Sequence, residues 1–381
     1  MLLLAEIVVI LLWVRITVFC ALNIWYWWAK VPKDSLIHPQ SQISVIVPAF
    51  NEEMHIKRTL ISLLEHEPKP WEIIVVDDGS TDMTAEIARR HLTGIDRAKV
   101  IELPVNMGKA EALNIGIQAA SCNFIATIDA DTRLDQYALE SAITAITERQ
   151  ADAVAFYLDV DNQLGFLEAL QRQEYMTSMN FERMGQDAIG AISILPGAAT
   201  LFRRELLVAN PFSARTRTED ADLTLSLAKQ GLRIVLAEKA VARTIVPATW
   251  ADLVAQRTRW IAGHLECCVF HVIQKGSAKC YFRAITLPNF AISTFTVLVG
   301  LLALAAILVG GRTTFLRMEW IDAVKISIAL VYAQRAIAWL LTGMIRTRVD
   351  HFLLEPLFTN FINTFCFIRA LYSLGMRSWG R

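Results

Sequence analysis

The sequence predicts an α/β fold in which a doubly wound sheet lies between membrane-spanning segments. Between residues 40 and 249, short apolar runs alternate with stretches that carry apolar residues at helical spacing, which is typical of a parallel sheet covered by helices. Long apolar runs lie near both ends of the chain. Of the 381 residues, 54% are hydrophobic and only 19% are charged, which is too apolar for an ordinary soluble protein.

The charge balance and the cysteines exclude several other classes of protein. The 37 basic and 37 acidic residues cancel, so no nucleic-acid partner is indicated. The six cysteines form no CxxC pair and have no metal-ligand spacing. We therefore expect reduced thiols that pack as small hydrophobic side chains.

Residues 1–30 are predicted to form the first membrane segment. The apolar run at 2–28 exceeds the ~20 residues that a helix needs to cross a bilayer, and it ends in the interfacial aromatic residues Trp25–Trp28. Lys30 and Lys33 follow, which predicts a cytoplasmic location for the next domain. A cleaved signal peptide is the alternative, but the run is too long and has no basic start. Arg15, inside the run, is expected to face protein and not lipid.

Residues 284–381 are predicted to form a C-terminal membrane region with two or three segments. The second segment carries Lys325 and Arg335, which must face inward or reach the interface. The third contains Glu355 and could cross the membrane, re-enter it or lie along its surface. Polar residues in these segments indicate either helix–helix contacts or a path for a polar substrate.

In the central domain, each of three predicted strands ends in acidic residues. The run ISVIVPAF is followed by Asn51 and Glu52, and the strands EIIVVDDG and FIATIDAD carry the pairs Asp77-Asp78 and Asp129-x-Asp131. Ligands of open α/β sheets bind at the carboxyl ends of strands, so these carboxylates should converge on one edge. Converging acids repel each other unless a cation joins them, and hard oxygen donors suit Mg²⁺ or Mn²⁺ bound to a diphosphate. Taken alone, an acidic turn of this kind could simply be solvated.

Six motifs follow one another between residues 43 and 265: VIVPAFNEE, VVDDGSTD, NMGKAEALNIGI, IDADTRL, TEDADLTLSLAKQG and QRTRW. Together they resemble glycosyltransferase family 2, in particular its membrane-embedded, processive branch of cellulose, chitin, hyaluronan and poly-N-acetylglucosamine synthases. The resemblance implies a cytosolic GT-A (nucleotide-diphospho-sugar transferase) fold for residues 40–249, inserted between transmembrane helices. It also implies an inverting family 2 hexosyltransferase.

The resemblance implies roles for the residues that match the donor-site motifs. Asp78 would contact the uracil or ribose of a UDP-sugar, with Asp77 beside it. Lys109 would lie near the base and the phosphates. Asp129 and Asp131 would be the DxD pair that binds Mg²⁺ or Mn²⁺, with Asp131 the direct ligand.

Further along the chain, the resemblance implies that Asp220 is the general base that takes a proton from the acceptor hydroxyl. Gln256, Arg259 and Trp260 match a QxxRW signature that clamps the diphosphate and lines the acceptor entrance. This signature lies in a predicted amphipathic interface region at 250–283. Alternatives remain: Thr218-Glu219-Asp220 could only begin a helix, Trp260 could be an interface anchor, and Arg257 and Arg259 could be lipid-facing cations.

Two other stretches bear on the acceptor. The segment QLGFLEALQRQEYMTSMNFERMG is long and amphipathic, and it could either collar a channel mouth at the membrane or pack as a core helix. The segment SILPGAATLFRREL resembles the part of the family that surrounds the acceptor terminus, where Gly197 would let a sugar approach the backbone. Arg203 and Arg204 are expected to begin the next helix.

The resulting hypothesis is a multi-pass enzyme of the bacterial inner membrane with a cytoplasmic catalytic domain. It would polymerise a β-linked polysaccharide from a UDP-sugar, with UDP-N-acetylglucosamine favoured, and pass the product through its own helices. Expected partners are a growing glycan or lipid acceptor, membrane lipid and accessory export subunits. One alternative is a non-processive, glycolipid-forming transferase that resembles ceramide glucosyltransferase and uses UDP-glucose. The other is a non-catalytic membrane subunit that senses a nucleotide.

Overall fold

The computed structural model describes residues 2–29, 42–67, 69–162, 165–273, 279–295, 314–315, 318–341 and 349–378. The first half of the central domain alternates strands and helices as the sequence predicts. Its elements are β1 (Ile43–Ala49), α2 (Ile56–Leu64), β2 (Glu72–Asp77), α3 (Thr84–Leu92), β3 (Ala98–Glu102), α4 (Lys109–Ala119), β4 (Phe124–Ile128), β5 (Thr132–Leu134) and α5 (Ala138–Glu148), preceded by α1 (Leu2–Ala29).

The second half of the chain is more irregular and contains two π-helical segments. Its elements are β6 (Ala153–Val160), α6 (Phe166–Glu174), a π-helical turn (Tyr175–Asn180), α7 (Phe181–Ala188), β7 (Ala199–Arg203), α8 (Arg204–Ala209), α9 (Glu219–Gln230), β8 (Ile234–Thr244), α10 (Trp250–Ile273), a second π segment (Phe282–Thr286), α11 (described at 287–295), the two short strands β9 (Thr314–Phe315) and β10 (Met318–Glu319), α12 (Trp320–Leu341) and α13 (Val349–Ser378).

Eight strands form one mixed sheet in the order β3-β2-β1-β4-β7-β6-β8-β5. β1 pairs in parallel with β2 and β4, and β3 continues the parallel set, which confirms the prediction for this half of the sheet. The prediction of a doubly wound sheet is wrong for the rest, because β7 runs antiparallel between β4 and β6 and β5 runs antiparallel to β8. Helices α6 and α7 lie between β6 and β7 in the chain, but they do not return it to the amino edge of the sheet. The first residues of β7 therefore enter at the carboxyl edge, where the Asp129 amide donates to the Ala198 carbonyl at 3.0 Å.

The inner strands are held because they bury most of their side chains, whereas the edge strand β3 has no fully buried residue. All seven residues of β1 and all six of β2 are buried, as expected for parallel strands covered on both faces. One face packs on α2 and α5 through residues such as Leu60 and Leu139, and the other packs on α4 and α9 through residues such as Leu113 and Leu227. This two-sided core fixes the strand ends that carry the predicted acids.

Among the described residues, two helices are long and apolar enough to cross a membrane by length and composition: Val9–Trp28 within α1 and Ile321–Leu341 within α12. The third predicted C-terminal segment is one helix, α13, which contains Pro356. Most of the first C-terminal segment, 296–313, lies outside the described residues, as do Lys30 and Lys33.

The amphipathic segment that follows β6 is one long helix, α6–π–α7, and it packs between the sheet and the apolar helices. It contacts α13 through α6, α12 through the π turn and α1 through α7. Arg15 of α1 faces protein as predicted, because its Nη2 lies 2.6 Å from Glu182 Oε2. Arg335 of α12 pairs with Glu355 of α13 at 2.9 Å and donates to the Thr177 carbonyl of the π turn at 3.0 Å. Among the described residues, Arg15, Arg335 and Glu355 therefore form contacts between helices.

Candidate active site

The turn after β2 organises the start of the site. Asp78 is buried, and its two carboxylate oxygens accept the backbone N–H groups of Met107 and Gly108 at 2.7 and 2.8 Å. Gly79 is required beside it, because its φ is +71° and a Cβ there would lie 2.6 Å from the Val105 carbonyl carbon. Asp78 thus fixes the loop that leads directly into Lys109. A contact of Asp78 with uracil or ribose stays a prediction.

Asp77 is the last residue of β2 and is also buried. Its Oδ2 accepts the Ser80 amide at 3.1 Å, which closes the turn. Its Oδ1 is buried and has no hydrogen-bond partner in the described part of the chain. A buried carboxylate oxygen without a donor is costly, so this atom marks a place for a ligand donor near the turn.

Lys109 begins α4 and lies among the acids of the carboxyl edge. Its Nζ is 2.5 Å from Asp129 Oδ1 and 3.5 Å from Glu219 Oε1. Burial opposes its charge, but Asp129 and Glu219 outweigh burial and raise the pKa of Lys109. Asp131 Oδ1 accepts the hydroxyls of Thr132 at 3.2 Å and Thr244 at 3.5 Å. Lys109 therefore contacts Asp129 of the DxD pair directly, and its charge opposes the rise in the pKa of Asp131.

The carboxylates at this edge of the sheet outnumber the positive charges near them. Burial raises the pKa of Asp129 to about 6 against the opposing effect of Lys109, and Asp131 adds to the rise. Burial also raises the pKa of Glu52 to about 7, and Asp131 and Asp129 contribute to this rise. Glu52, the acid that follows the run ISVIVPAF, therefore joins the other strand-end carboxylates, although the resemblance implied no role for it. The surplus of negative charge makes this edge a binding place for a cation.

Asp220 lies in the first turn of α9 and faces the same cleft. Its Oδ2 accepts the Gly197 amide at 3.0 Å, and its Oδ1 accepts the Ala221 amide at 2.7 Å. Burial, with the neighbouring Glu219 carboxylate, raises the pKa of Asp220 to about 6. Thr218 is the N-cap residue, but its side chain makes no capping bond, so capping alone does not account for this acid cluster.

Gly197 joins the acids of α9 to Lys109. A Cβ at this position would lie 3.0 Å from Asp220 Oδ2 and 3.3 Å from Lys109 Nζ. The absence of a side chain at Gly197 therefore lets both Asp220 and Lys109 approach the backbone. The approach of a sugar to this position stays a prediction. The expected helix start is also observed, since Arg203 is the N-cap residue and Arg204 begins α8.

The QxxRW motif lies on α10, one turn before a close contact with the acid cluster. A Cβ on Gly263 would lie 2.5 Å from Thr218 Oγ1, so α10 packs directly against the residue that precedes Glu219 and Asp220. Gln256, Arg259 and Trp260 share this helix face, because they lie seven, four and three residues before Gly263. The Oε1 atom of Gln256 is buried and has no partner in the described part of the chain. Arg259 is exposed, and Trp260 is half-buried against the core.

Arg257 corrects one sequence interpretation. It is not a lipid-facing cation, because it is 4% exposed and forms two hydrogen bonds with Glu174 of α6, at 2.8 and 3.1 Å. Its guanidinium carbon lies 4.6 Å from the centre of the Trp260 ring. Arg257 therefore holds Trp260 against the central domain. Sequence spacing gave no signal for a partner 83 residues away.

Residues 44–209 match the family described as Glycosyl transferase family 2. The chain carries a glycosyl transferase family 2 domain. The match contains the DDG turn, Lys109 and the DxD pair, whereas Asp220 and the QxxRW helix lie beyond it.

Curated relatives agree with this family 2 domain. The chain is 33% identical over 226 residues to poly-beta-1,6-N-acetyl-D-glucosamine synthase of Staphylococcus epidermidis, which covers 59% of this chain and 55% of the relative. It is 31% identical over 226 residues, with the same coverage, to the synthase of that name from Staphylococcus aureus strain COL. The chain thus spans about half the length of the curated relatives it matches.

Solved structures share the fold. The mannosyltransferase PcManGT from Pyrobaculum calidifontis, solved with GDP-Man and Mn²⁺, matches with a TM-score of 0.60 at 21% identity, covering 89% of this chain and 98% of that one. Residues 1–349 of TarS from S. aureus, solved with UDP-GlcNAc, match with a TM-score of 0.51 at 20% identity, covering 82% and 90%. The family 2 domain therefore has a GT-A-like α/β fold with a mixed sheet.

The acids of the family 2 domain fit a divalent cation that is shared with a ligand. Asp129 and Asp131 supply hard oxygen donors, and burial raises the pKa of Asp131 as it does that of Asp129. Among the described residues, no group of three or more His, Cys, Asp or Glu side chains could hold a metal ion by itself. Phosphate oxygens and water would have to complete the coordination.

Proposed function

We propose that this chain is an inverting hexosyltransferase that uses a UDP-sugar, with UDP-N-acetylglucosamine as the favoured donor. One observation carries the proposal: Asp220 and the Lys109–Asp129 pair both lie beside Gly197. A Cβ added at Gly197 would lie 3.0 Å from Asp220 Oδ2 and 3.3 Å from Lys109 Nζ. One side of this cleft suits a phosphate-bound cation, and the other suits a base for an acceptor hydroxyl. The relatives named as poly-N-acetylglucosamine synthases, and TarS with its bound UDP-GlcNAc, support this donor.

The donor would bind through both halves of the domain. Asp77 and Asp78 would face the nucleoside, and Asp129 and Asp131 would hold Mg²⁺ or Mn²⁺ against the diphosphate, as the Mn²⁺ in the PcManGT complex supports. When bound, the cation would supply positive charge for the departing UDP. Lys109 adds a fixed ammonium, and Arg259 offers a planar fork that can bind two phosphate oxygens. Gln256 would lie beside Arg259.

Asp220 would act as the general base. It would take the proton of the acceptor hydroxyl while that oxygen attacks the anomeric carbon from the face opposite the diphosphate. The new C–O bond forms as the bond between the anomeric carbon and the phosphate oxygen breaks, and UDP leaves with the electron pair. The attack inverts the anomeric centre, so an α-linked donor would give a β-linked product. Trp260 would offer its ring to the acceptor sugar at the entrance.

We place the reaction at the cytoplasmic face of a bacterial inner membrane. The candidate spans in α1 and α12, and the exposed aromatic residues Trp25, Trp27 and Trp28 near the end of α1, support this placement. The proposed divisions are a membrane helix at 1–30, the catalytic domain at 40–249, the interface region at 250–283 and the membrane region at 284–381. Repeated transfer to a growing glycan, export through the helices, and accessory export subunits belong to the same proposal.

A panel of nucleotide sugars tests this function. Purified full-length protein in lipid nanodiscs would receive UDP-GlcNAc, UDP-glucose, GDP-mannose or UDP-glucuronate with Mg²⁺ or Mn²⁺, and released nucleoside diphosphate would be measured. We expect UDP-GlcNAc to give the fastest release and a water-soluble polymer. Radiolabel that extracts into organic solvent, from UDP-glucose, would instead support a glycolipid-forming transferase. Tight UDP-sugar binding without any release would support a nucleotide sensor and refute the proposed activity.

A further inference from the structure

Arg183 of α7 is a buried cation for which the proposed reaction has no role so far. Arg183 is only 7% exposed. Its Nη1 donates a hydrogen bond to Asn180 Oδ1 at 3.3 Å, and no carboxylate of the described residues lies within ion-pair distance. Burying a guanidinium without a counter-ion costs several kcal/mol, so a cation of this kind is unusual unless an anion binds there.

The acids on the same helix are not available to Arg183. Beyond the first turn, the helix carries Glu174, Glu182 and Asp187. Each has another arginine within 2.8 Å: Glu174 pairs with Arg257, Glu182 with Arg15 and Asp187 with Arg149. These three acids are therefore neutralised by arginines of other elements. Arg183 remains able to bind an anion that the protein does not supply.

The other side of the Arg183 guanidinium has no partner in the described part of the chain. Its Nε and Nη2 atoms make no hydrogen bond there. Burial lowers the pKa of Arg183 to about 10, and Asp220 is the first of the charges that oppose this fall. The group remains cationic at neutral pH and lies in the field of the candidate base.

Hydrogen bonds and strand pairing place this helix beside the carboxyl edge of the sheet. Asn180 Oδ1, which accepts from Arg183, also accepts the Leu158 amide at 3.2 Å, and Asn180 Nδ2 donates to the Leu158 carbonyl at 2.7 Å. The end of β6 pairs with Thr244, whose hydroxyl donates to Asp131 at 3.5 Å. The helix that carries Arg183 is therefore anchored near the end of β6 that lies beside the DxD pair.

We propose that Arg183 binds an oxyanion of the donor, the terminal phosphate of the nucleoside diphosphate, from the α7 side of the cleft. This inference rests on the proposed function, because it takes a nucleoside diphosphate as the ligand. A guanidinium can bind two phosphate oxygens at once. Placed near Asp220, it also screens the departing diphosphate from the anionic base, which would otherwise repel it.

Nucleotide binding by full-length protein in nanodiscs with Mg²⁺, measured by calorimetry, tests the proposal. UDP and UMP are the probes, because only UDP carries the phosphate assigned to Arg183. We expect Arg183→Met to raise the Kd for UDP roughly tenfold to a hundredfold and to leave the Kd for UMP unchanged. Arg172→Met is the matched control, since it removes an arginine of the same helix that already pairs with Asp159. It should change neither Kd.

Arg183→Lys is the second variant, in case the methionine variant does not fold. It keeps the charge but loses the fork, and its Kd for UDP should fall between the wild-type and methionine values. Equal effects of the substitutions on UDP and UMP, or no effect on either, would overturn the assignment. A shift of the pH profile of UDP release with unchanged UDP binding would also overturn it, and would make Arg183 a positioning residue of Asp220. Failure of the wild-type protein to bind UDP would instead reject the proposed donor.

Discussion

The buried acids at the carboxyl edge of the sheet and those along the α6–π–α7 helix differ in how completely positive charges balance them. At the edge, Asp129, Asp131 and Asp220 have Lys109 as their nearby cation. Along the helix, every acid beyond the first turn has its own arginine. Paired charges stabilise joints between elements, whereas unbalanced charges cost stability and persist where a ligand offsets that cost. The comparison thus separates residues that hold the molecule together from residues that are expected to bind substrate.

The largest expected effect is at the base. Asp220→Asn should reduce UDP release by about 10³-fold, because an amide cannot take the acceptor proton, while the Kd for UDP changes little. Asp252→Asn, an exposed acid at the start of α10, is the matched control. Stopped assays of UDP release and calorimetry of UDP binding check both statements. Near wild-type turnover in Asp220→Asn would show that the unbalanced edge is not catalytic.

For the paired acids of the α6–π–α7 helix, the comparison predicts that removing one partner of a pair lowers the stability of the protein. Glu174→Met should lower the free energy of unfolding by about 3–5 kcal/mol, because it leaves Arg257 buried without a partner. The double variant Glu174→Met/Arg257→Met should recover most of that loss. Removing the exposed Asp322–Lys325 pair with Asp322→Asn should cost less than about 1 kcal/mol. Thermal unfolding in nanodiscs gives the order, and equal losses for the two pairs would contradict the distinction.

The cation site should respond next. Asp131→Asn should raise the Kd for UDP roughly tenfold to a hundredfold when Mg²⁺ is present, because the proposed metal ligand is lost. With EDTA, the wild type and the variant should bind UDP equally weakly. Calorimetry with and without chelator measures both. A variant that keeps the Mg²⁺-dependent gain in affinity would remove Asp131 from the metal site.

The contact between α10 and the TED turn should have a moderate effect. Gly263→Ala places a Cβ 2.5 Å from Thr218 Oγ1 and 2.9 Å from its amide nitrogen, so the helix or the turn must move. We expect kcat to fall roughly fivefold to tenfold through misplacement of Asp220, with UDP binding retained. At Gly165 a Cβ meets only the side chain of Glu168, so Gly165→Ala should have no such effect. Equal kcat values for the two variants would argue against tight coupling.

The smallest effect concerns the unliganded protein and pH. Because the pKa of Asp129 is raised to about 6 from 3.8, its contribution to stability is present below the lower value and is lost as the pH rises through about 6. Asp129→Asn should therefore raise the Tm of the unliganded protein by a few degrees near pH 8, and by less near pH 5. Differential scanning fluorimetry over this range tests the sign. A lower Tm near pH 8 would mean that Lys109 already balances the edge.

The first half of the site could be predicted from the sequence more completely than the second half. The acids of the DDG and DxD turns could be placed because each follows a continuous buried strand, and parallel strands end together. The direction of β7 could not be predicted, since it depends on how the loop before Gly197 returns to the sheet. The pairing of Arg257 with Glu174 joins helices far apart in the chain. In the sequence, Arg183 does not differ from other arginines on helices. Only the structure distinguishes it, because the neighbouring acids already pair with other arginines.

The π turn at Tyr175–Asn180 sets the phase of everything that follows on its helix. Such a turn accommodates one more residue than the α-helix would, and each residue of an α-helix advances the chain by about 100°. Glu182 and Arg183 therefore point where they do because of a single extra residue upstream. Shortening this turn by one position would rotate Glu182 away from Arg15 and would turn Arg183 through the same angle. The contact of α7 with α1 and the direction of Arg183 thus both depend on one widened turn of helix.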